Sequence, residues 1–327
     1  MNAAAELIED TTTEKKIIGR FPMNPYPRSW YCVLYSDELK RGELKTVHYF
    51  GQDLVVFRTE LGQAAVVDPH CPHMGAHLGH GGKVVGNSIE CPFHGWKFDV
   101  EGTCSKIDYC DRIPKKAQLN PWLTREANGM VYVWFDREGN QPDHQPARLA
   151  EYEDKGWSQF VARKQWEIKT HPQEIAENAM DTAHFETVHG IGLPSKSEYP
   201  EVTGTDFISC QSYDAEYFGV KPSIVIHMKE PGIAFTSTKI GKAESIVIAS
   251  MTPIDEENIV YRFAILSKKS VNLFARLVIT KFMEREIIRQ FEQDIVIWEN
   301  KKYLDKPMLC KDDGDIRKVR KWYAQFN

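Results

Sequence analysis

Apolar, β-branched and aromatic positions gather in short runs at 30–35, 46–50, 54–58, 64–68, 88–91 and 131–135. Turn signals separate them: Glu60-Leu61-Gly62, Gly81-Gly82 and Glu101-Gly102. Many short strands with glycine turns predict a small antiparallel β-domain. Beyond a segment holding Gly139, Asn140, Pro142 and Pro146 the pattern changes. A strand candidate at 160–170 leads into Pro172, suited to the first turn of a helix because its missing N–H needs no partner there. That helix is expected from about Pro172 through the 180s. Strands return at 224–228, 245–251 and 259–265, with Asp255-Glu256-Glu257-Asn258 as a hairpin turn, and a long helix is expected over about 272–303. The organisation read from this is α+β: a polar, weakly ordered lead at 1–24, a β-domain at 25–140, and a second domain at 141–327 with an antiparallel sheet and a long C-terminal helix.

Composition narrows the class. The 327 residues are 42% apolar and 27% charged, as in soluble globular proteins. With 41 basic against 46 acidic residues, a net charge of −5 supplies no footprint for nucleic acid. Residues 1–16 carry Glu6, Glu9, Asp10 and Glu14 and no apolar signal region, and the most lipid-like run, 271–280, is broken by Arg276. Neither a leader nor a membrane span is expected. Seven cysteines, an odd number, suit the reducing cytoplasm, where Cys32, Cys104, Cys110, Cys210 and Cys310 read as packing residues.

The other two cysteines stand in Cys71-Pro72-His73 and Cys91-Pro92-Phe93-His94. Zinc is one reading of two Cys and two His, but zinc sites usually pair Cys with Cys and His with His. One of each in each of two loops suits a two-iron cluster with thiolates on one iron and imidazoles on the other. The stretch CPHMGAHLGHGGKVVGNSIECPFHGWKF resembles the Rieske [2Fe–2S] domain of Rieske non-heme iron oxygenases. Rieske proteins of cytochrome bc complexes carry two further cysteines and a serine where this chain has Ala76, Phe93 and Trp96, so a lower-potential cluster is implied. His70, His77 and His80 read as hydrogen-bonding or surface histidines, since the four-ligand set is complete.

A second constellation, Asn178-x-x-Asp181-x-x-His184-x-x-x-x-His189, is weak alone. Five residues on an α-helix turn through about 500°, leaving the two imidazoles ~140° apart unless the helix ends, kinks or widens to a π-turn. Thr187, Val188 and Gly190 make an ending there plausible. Beside the first motif it resembles the mononuclear iron signature of the same oxygenases, which needs two imidazoles and one carboxylate with open positions for O2 and substrate. Asp294 is the expected third ligand, because it interrupts an apolar helical stripe of Ile287, Phe291 and Trp298. Its alternatives are a helix N-cap, a buried salt bridge with an arginine such as Arg289 or, as ligands in its place, Asp305 or Asp181.

The resemblance implies further properties. Catalytic roles fall on Asp181 and Asn178, the second domain takes a helix-grip, START-like fold, and the cofactors are a Rieske cluster, Fe(II) and O2. No flavin or nicotinamide motif is present, so an external NAD(P)H-dependent reductase is implied, with or without a ferredoxin. A homotrimer would carry electrons from His94 of one subunit through Asp181 to His184 of the next. WYCVLYSDELKRGE, GQDLVVFR, IPKKA and FEQDIVIWENKKYLDKPML are similar to the cholesterol 7-desaturase and 3-ketosteroid 9α-hydroxylase branch, whereas residues 1–24 and about 190–250 match least. The expected activity is hydroxylation or desaturation of an apolar, steroid-like or polycyclic molecule. N-oxygenation or demethylation of an aromatic amine or ether, and non-catalytic electron transfer, are the alternatives.

Overall fold

Strands Ala243–Pro253 and Ile259–Ser267 run through the middle of the molecule with both faces apolar. Side chains of a strand point to alternate faces, so Phe263 and Ile265 meet the helices while Ala264 and Leu266 meet a second sheet. The structure, a computed structural model, describes residues 20–200, 204–214, 221–269, 273–310 and 313–327. The two strands belong to a seven-stranded antiparallel sheet, ordered Ala162–Ile168, Ile259–Ser267, Ala243–Pro253, Ile233–Ile240, Ser223–Glu230, Phe207–Ser212 and Lys196–Glu198.

One face of this sheet is covered by a three-stranded sheet of Ser29–Tyr35, Met130–Phe135 and Thr124–Ala127, where Trp30 and Tyr132 pack on Ile233 and Ile248. The short helix α1 (Ala150–Glu153) lies in the connection to the large sheet. The other face is covered by α2 (Pro172–Met180), α3 (Leu273–Asn300) and α4 (Ile316–Tyr323). Two four-stranded sheets complete the front: one of Leu44–Tyr49, Gln52–Arg58, Ala64–Val67 and Pro121–Trp122, the other of Lys83–Val85, Ser88–Glu90, Lys97–Phe98 and Cys104–Lys106. They share a core of Val55, Phe57, Leu78, Ile89 and Phe98.

The α+β architecture, with a long helix across an antiparallel sheet, is the expected one, and the strands named from sequence fall within two residues of those observed. Short strands such as Lys83–Val85, Cys104–Lys106 and Thr124–Ala127 carry too little pattern to be read. Three expectations need correction. The helix from Pro172 stops at Met180, where Asp181 caps it, and a separate π-helical turn spans Phe185–His189. Residues 1–19 of the expected lead lie outside the described residues, but its end is not loose. Phe21 is buried, and Arg20 donates to the carbonyls of Trp298 and Lys301, which the end of α3 leaves without helical partners. Among the five thiols read as packing residues, Cys32 and Cys104 are buried and Cys210 is half-buried, but Cys110 and Cys310 are exposed and fill no core. Among the described residues, no helix is long and apolar enough to cross a membrane.

Candidate metal centres

The Cys71 and Cys91 loops are built to one plan. In each, the cysteine N–H donates to the carbonyl five residues on, Ala76 at 2.9 Å and Trp96 at 2.8 Å. In each, the glycine four residues on returns a hydrogen bond to the cysteine carbonyl, Gly75 at 2.9 Å and Gly95 at 3.1 Å. Both glycines sit at positive φ, 76° and 69°, which a side chain would strain. The paired loops bring Cys71 beside Cys91, both buried, and His73 beside His94 with ring centroids 4.6 Å apart. Burial pushes the Cys71 thiol up to about 11, and the neighbouring Cys91 adds to the rise. Trp96 stacks on His73 at 4.5 Å and donates its indole N–H to Tyr109. The exposed rings of Phe93 and Tyr109 flank His94, with centroids at 3.9 and 6.5 Å, and Met74, next to His73 in the chain, is also exposed.

Buried thiols with one another for neighbours, and a buried His94 Nδ1 without a hydrogen-bond partner, fit a soft inorganic group. A single zinc would draw all four ligand atoms within about 4 Å of one another. Among the described residues, the only group of three or more candidate ligands with atoms within 4.8 Å lies elsewhere. Thiols on one side and imidazoles on the other suit a two-iron cluster. His70 and His80 are exposed, and His77 accepts the Gly79 N–H at 3.1 Å, in keeping with their bland reading.

The group that does converge is His184, His189 and Asp294. α2 begins at His171, whose Nδ1 caps the Gln173 N–H while its Nε2–H donates to Asn24. Burial holds the His171 pKa down at about 4, so it stays neutral for both bonds. After the Asp181 cap the π-turn replaces α-helical rotation. It closes over five residues, so His184 and His189 meet with ring centroids 5.0 Å apart. The α-helix thus breaks at Asp181, before His184, and the π-turn expected as one option between the two histidines follows and ends at Gly190.

Asp294 comes from the middle of α3 and is 6% exposed. Its Oδ1 lies 3.3 Å from His189 Nε2 and 3.9 Å from His184 Nε2, and has no hydrogen-bond partner. Three electron-pair donors facing one point, one an unpartnered buried carboxylate oxygen, fit a divalent metal. The Asn178 amide lies within reach of this group, donating to Asp294 Oδ2 at 3.2 Å and facing His184 Nε2 at 3.4 Å. Burial depresses the His189 pKa, but the Asp294 carboxylate outweighs it and the net shift is upward. Asp181 lies behind His184, with Oδ2 3.5 Å from Nδ1. Burial raises its carboxyl pKa, yet His184 and the amides of Ala183 and His184 bring it below the usual range.

The alternatives for Asp294 do not match this geometry. Arg289 binds Glu286, Gln293 and the His189 carbonyl instead. Asp305 is exposed, and Asp181 faces the wrong nitrogen of His184. Sequence reasoning missed Gln293, which accepts from His189 Nδ1 at 3.1 Å. Its only sequence signal is its spacing of four from Arg289.

A pocket of about 160 Å³ opens between α3 and the large sheet, lined by Ile191, Ile224, Ile240, Met283 and Ile287 with Glu286 and Gln290. Ile191 follows His189 by two residues and Gln290 precedes Asp294 by one helical turn, so the π-turn and α3 each supply residues to both the pocket and the ligand group. A larger cleft of about 820 Å³ opens beside Asp181 instead, over Thr182, Ala183, Asp315 and Arg317.

A family model described as the 3-ketosteroid 9alpha-hydroxylase C-terminal domain matches residues 133–327, and one described as the Rieske [2Fe-2S] domain matches residues 29–117. The chain is 34% identical to cholesterol 7-desaturase nvd of Xenopus laevis, over 92% of this chain and 72% of the relative. It is also 34% identical to a 3-ketosteroid-9-alpha-monooxygenase, oxygenase component, of Rhodococcus rhodochrous, over 92% of this chain and 81% of the relative. Dicamba monooxygenase bound to dicamba superposes with a TM-score of 0.71 over 91% of this chain and 96% of that one; at 17% identity the likeness is one of fold alone.

Proposed function

The chain belongs to the Rieske oxygenases, in the family of the 3-ketosteroid 9α-hydroxylase C-terminal domain, and on that premise we propose that it hydroxylates or desaturates a steroid or a similar apolar polycycle. Enzymes of this kind work with a Rieske [2Fe–2S] cluster, a mononuclear iron and O2. Cys71, His73, Cys91 and His94 would hold the cluster, and His184, His189 and Asp294 the iron. When bound, the cluster supplies electrons one at a time and the iron supplies activation of O2.

The observation that carries the reading is the unpartnered Oδ1 of Asp294 facing two imidazole nitrogens. A protein that only passed electrons would have no use for that set, which disfavours the electron-transfer reading. The chain's own residues then have separate tasks. Asp181 sets its carboxylate against the Nδ1 side of His184, which leaves Nε2 as the nitrogen turned towards Asp294. Asn178 holds Asp294 through Oδ2, which leaves Oδ1 for the ion. Ile191, Ile224, Ile240 and Ile287 would present an apolar wall to the substrate, in keeping with an apolar molecule.

An oxygenase component depends on an external reductase. This one is NAD(P)H-dependent in our reading, acting directly or through a ferredoxin. Among the described residues, no hydrogen bond, ion pair or ring contact joins the Cys71 and Cys91 loops to His184 or Asp181, which favours transfer between subunits of a homotrimer. His94 of one subunit would then reach Asp181 of the next, at the cleft over Thr182 and Ala183. Exposed free thiols at Cys110 and Cys310 suit the cytoplasm.

The test is product formation with a surrogate NAD(P)H reductase across sterols, 3-ketosteroids and arylamines, read by mass spectrometry. A steroid product gaining one oxygen or losing two hydrogens is expected. Turnover of arylamines with none of steroids would reject the reading.

A further inference from the structure

His189 is held by more than its place in the π-turn. Its Nδ1 lies 3.1 Å from Gln293 Oε1, and Arg289 Nη1 lies 3.2 Å from the same oxygen. A guanidinium only donates, so the atom it meets on Gln293 must be the amide oxygen. The His189 nitrogen sharing that oxygen must also donate, which makes Nδ1 the N–H. The lone pair is therefore on Nε2, 3.3 Å from Asp294 Oδ1. Arg289 also donates through Nη1 and Nη2 to the His189 carbonyl, at 3.2 Å each. One guanidinium thus fixes both the backbone of His189 and the amide that orients its ring. Arg289 is itself held by Glu286 Oε2, at 2.8 and 3.1 Å.

We propose that Gln293, oriented by Arg289, is a positioning residue that sets the tautomer and ring plane of His189 for iron; the proposal rests on His189 being an iron ligand. It makes the two imidazoles unequal. His184 is backed by the carboxylate of Asp181, whereas His189 is backed by a neutral amide whose acceptor strength the guanidinium reduces. His189 is the less electron-rich ligand of the pair.

The test uses full-length protein with an intact cluster. Ferrous iron is titrated into the mononuclear site and read as the high-spin electron-paramagnetic resonance signal of its nitric oxide adduct. Gln293→Leu removes the acceptor and is expected to weaken ferrous affinity by about 10–100-fold, with the visible circular dichroism of the cluster unchanged. Gln293→Glu keeps the acceptor and adds charge, so affinity should stay within about threefold while the rhombicity of the signal shifts. Wild-type affinity in Gln293→Leu, or loss of iron in Gln293→Glu matching that in Gln293→Leu, would overturn the proposal. Should Gln293→Leu not fold, Gln293→Glu decides: an unshifted signal contradicts it. His189→Ala checks the premise separately, since iron retained at full affinity there removes His189 from the ligand set itself.

Discussion

The Cys71 and Cys91 loops and the His184, His189 and Asp294 group hold their chemistry by different means. The loops repeat one backbone hairpin, so main-chain hydrogen bonds and two positive-φ glycines place the thiols and imidazoles. The second group joins a π-turn to the middle of α3, and side chains hold it: Asn178, Asp181, Gln293 and Arg289. A site fixed by backbone is legible in sequence as one contiguous motif. A site fixed by side chains is spread along the chain, and each brace can be removed alone.

The largest effect is expected at the loops. Cys91→Ser should abolish the visible absorbance of the cluster and all turnover. It should also lower the thermal midpoint on the order of 5 °C, because the group is part of the core beneath it. Retained colour would show that the loop does not hold the cluster.

A smaller effect is expected at the side-chain site. Asp181→Asn should leave the iron content unchanged while slowing oxidation of the reduced cluster in single turnover by about 10–100-fold. An unchanged rate would remove Asp181 from the electron path.

The two regions differ in legibility for the same physical reason. Cys71, His73, Cys91 and His94 need no partner outside their own turns, and the sheets around them follow from short apolar runs. Asp294 is legible only as a carboxylate in an apolar stripe. Gln293 is legible only through its spacing of four from Arg289, which many helical glutamines share. The end of α2 is hard to read because Thr187 and Gly190 look like its stop signals, whereas Asp181 ends the helix four residues after the Glu177 carbonyl it caps and Gly190 ends the π-turn. Arg20 escaped notice because its partners are carbonyls at the far end of α3.

Gly82→Ala probes the close backbone packing near the first loop. The added Cβ would stand 2.1 Å from the Leu78 carbonyl oxygen. The expected cost is about 1–3 kcal/mol in denaturant unfolding, with mononuclear iron content unaffected. A neutral result would mean that the loop yields easily.

The smallest effect concerns the seam between the sheets. Glu230, almost fully buried, accepts from Ser29 Oγ at 3.0 Å and from the Trp30 N–H at 2.9 Å, and pairs with His144 at 3.3 Å. The bond to Glu230, against the opposing effect of burial and with help from Asp143, raises the His144 pKa to about 9. The folded value exceeds the unfolded one of about 6.5, so the stabilisation is complete below pH ~6.5 and is lost as pH rises through about 9. His144→Gln should therefore cost most at pH 6 and little at pH 10 in denaturant titrations; a pH-independent difference would contradict the charge on His144.

If one chain carries two separately held iron centres, iron and acid-labile sulfide counted per chain should give three irons and two sulfides in the wild type, and two irons and two sulfides in Asp294→Ala, with the visible spectrum unaltered. Three irons retained in Asp294→Ala would contradict it.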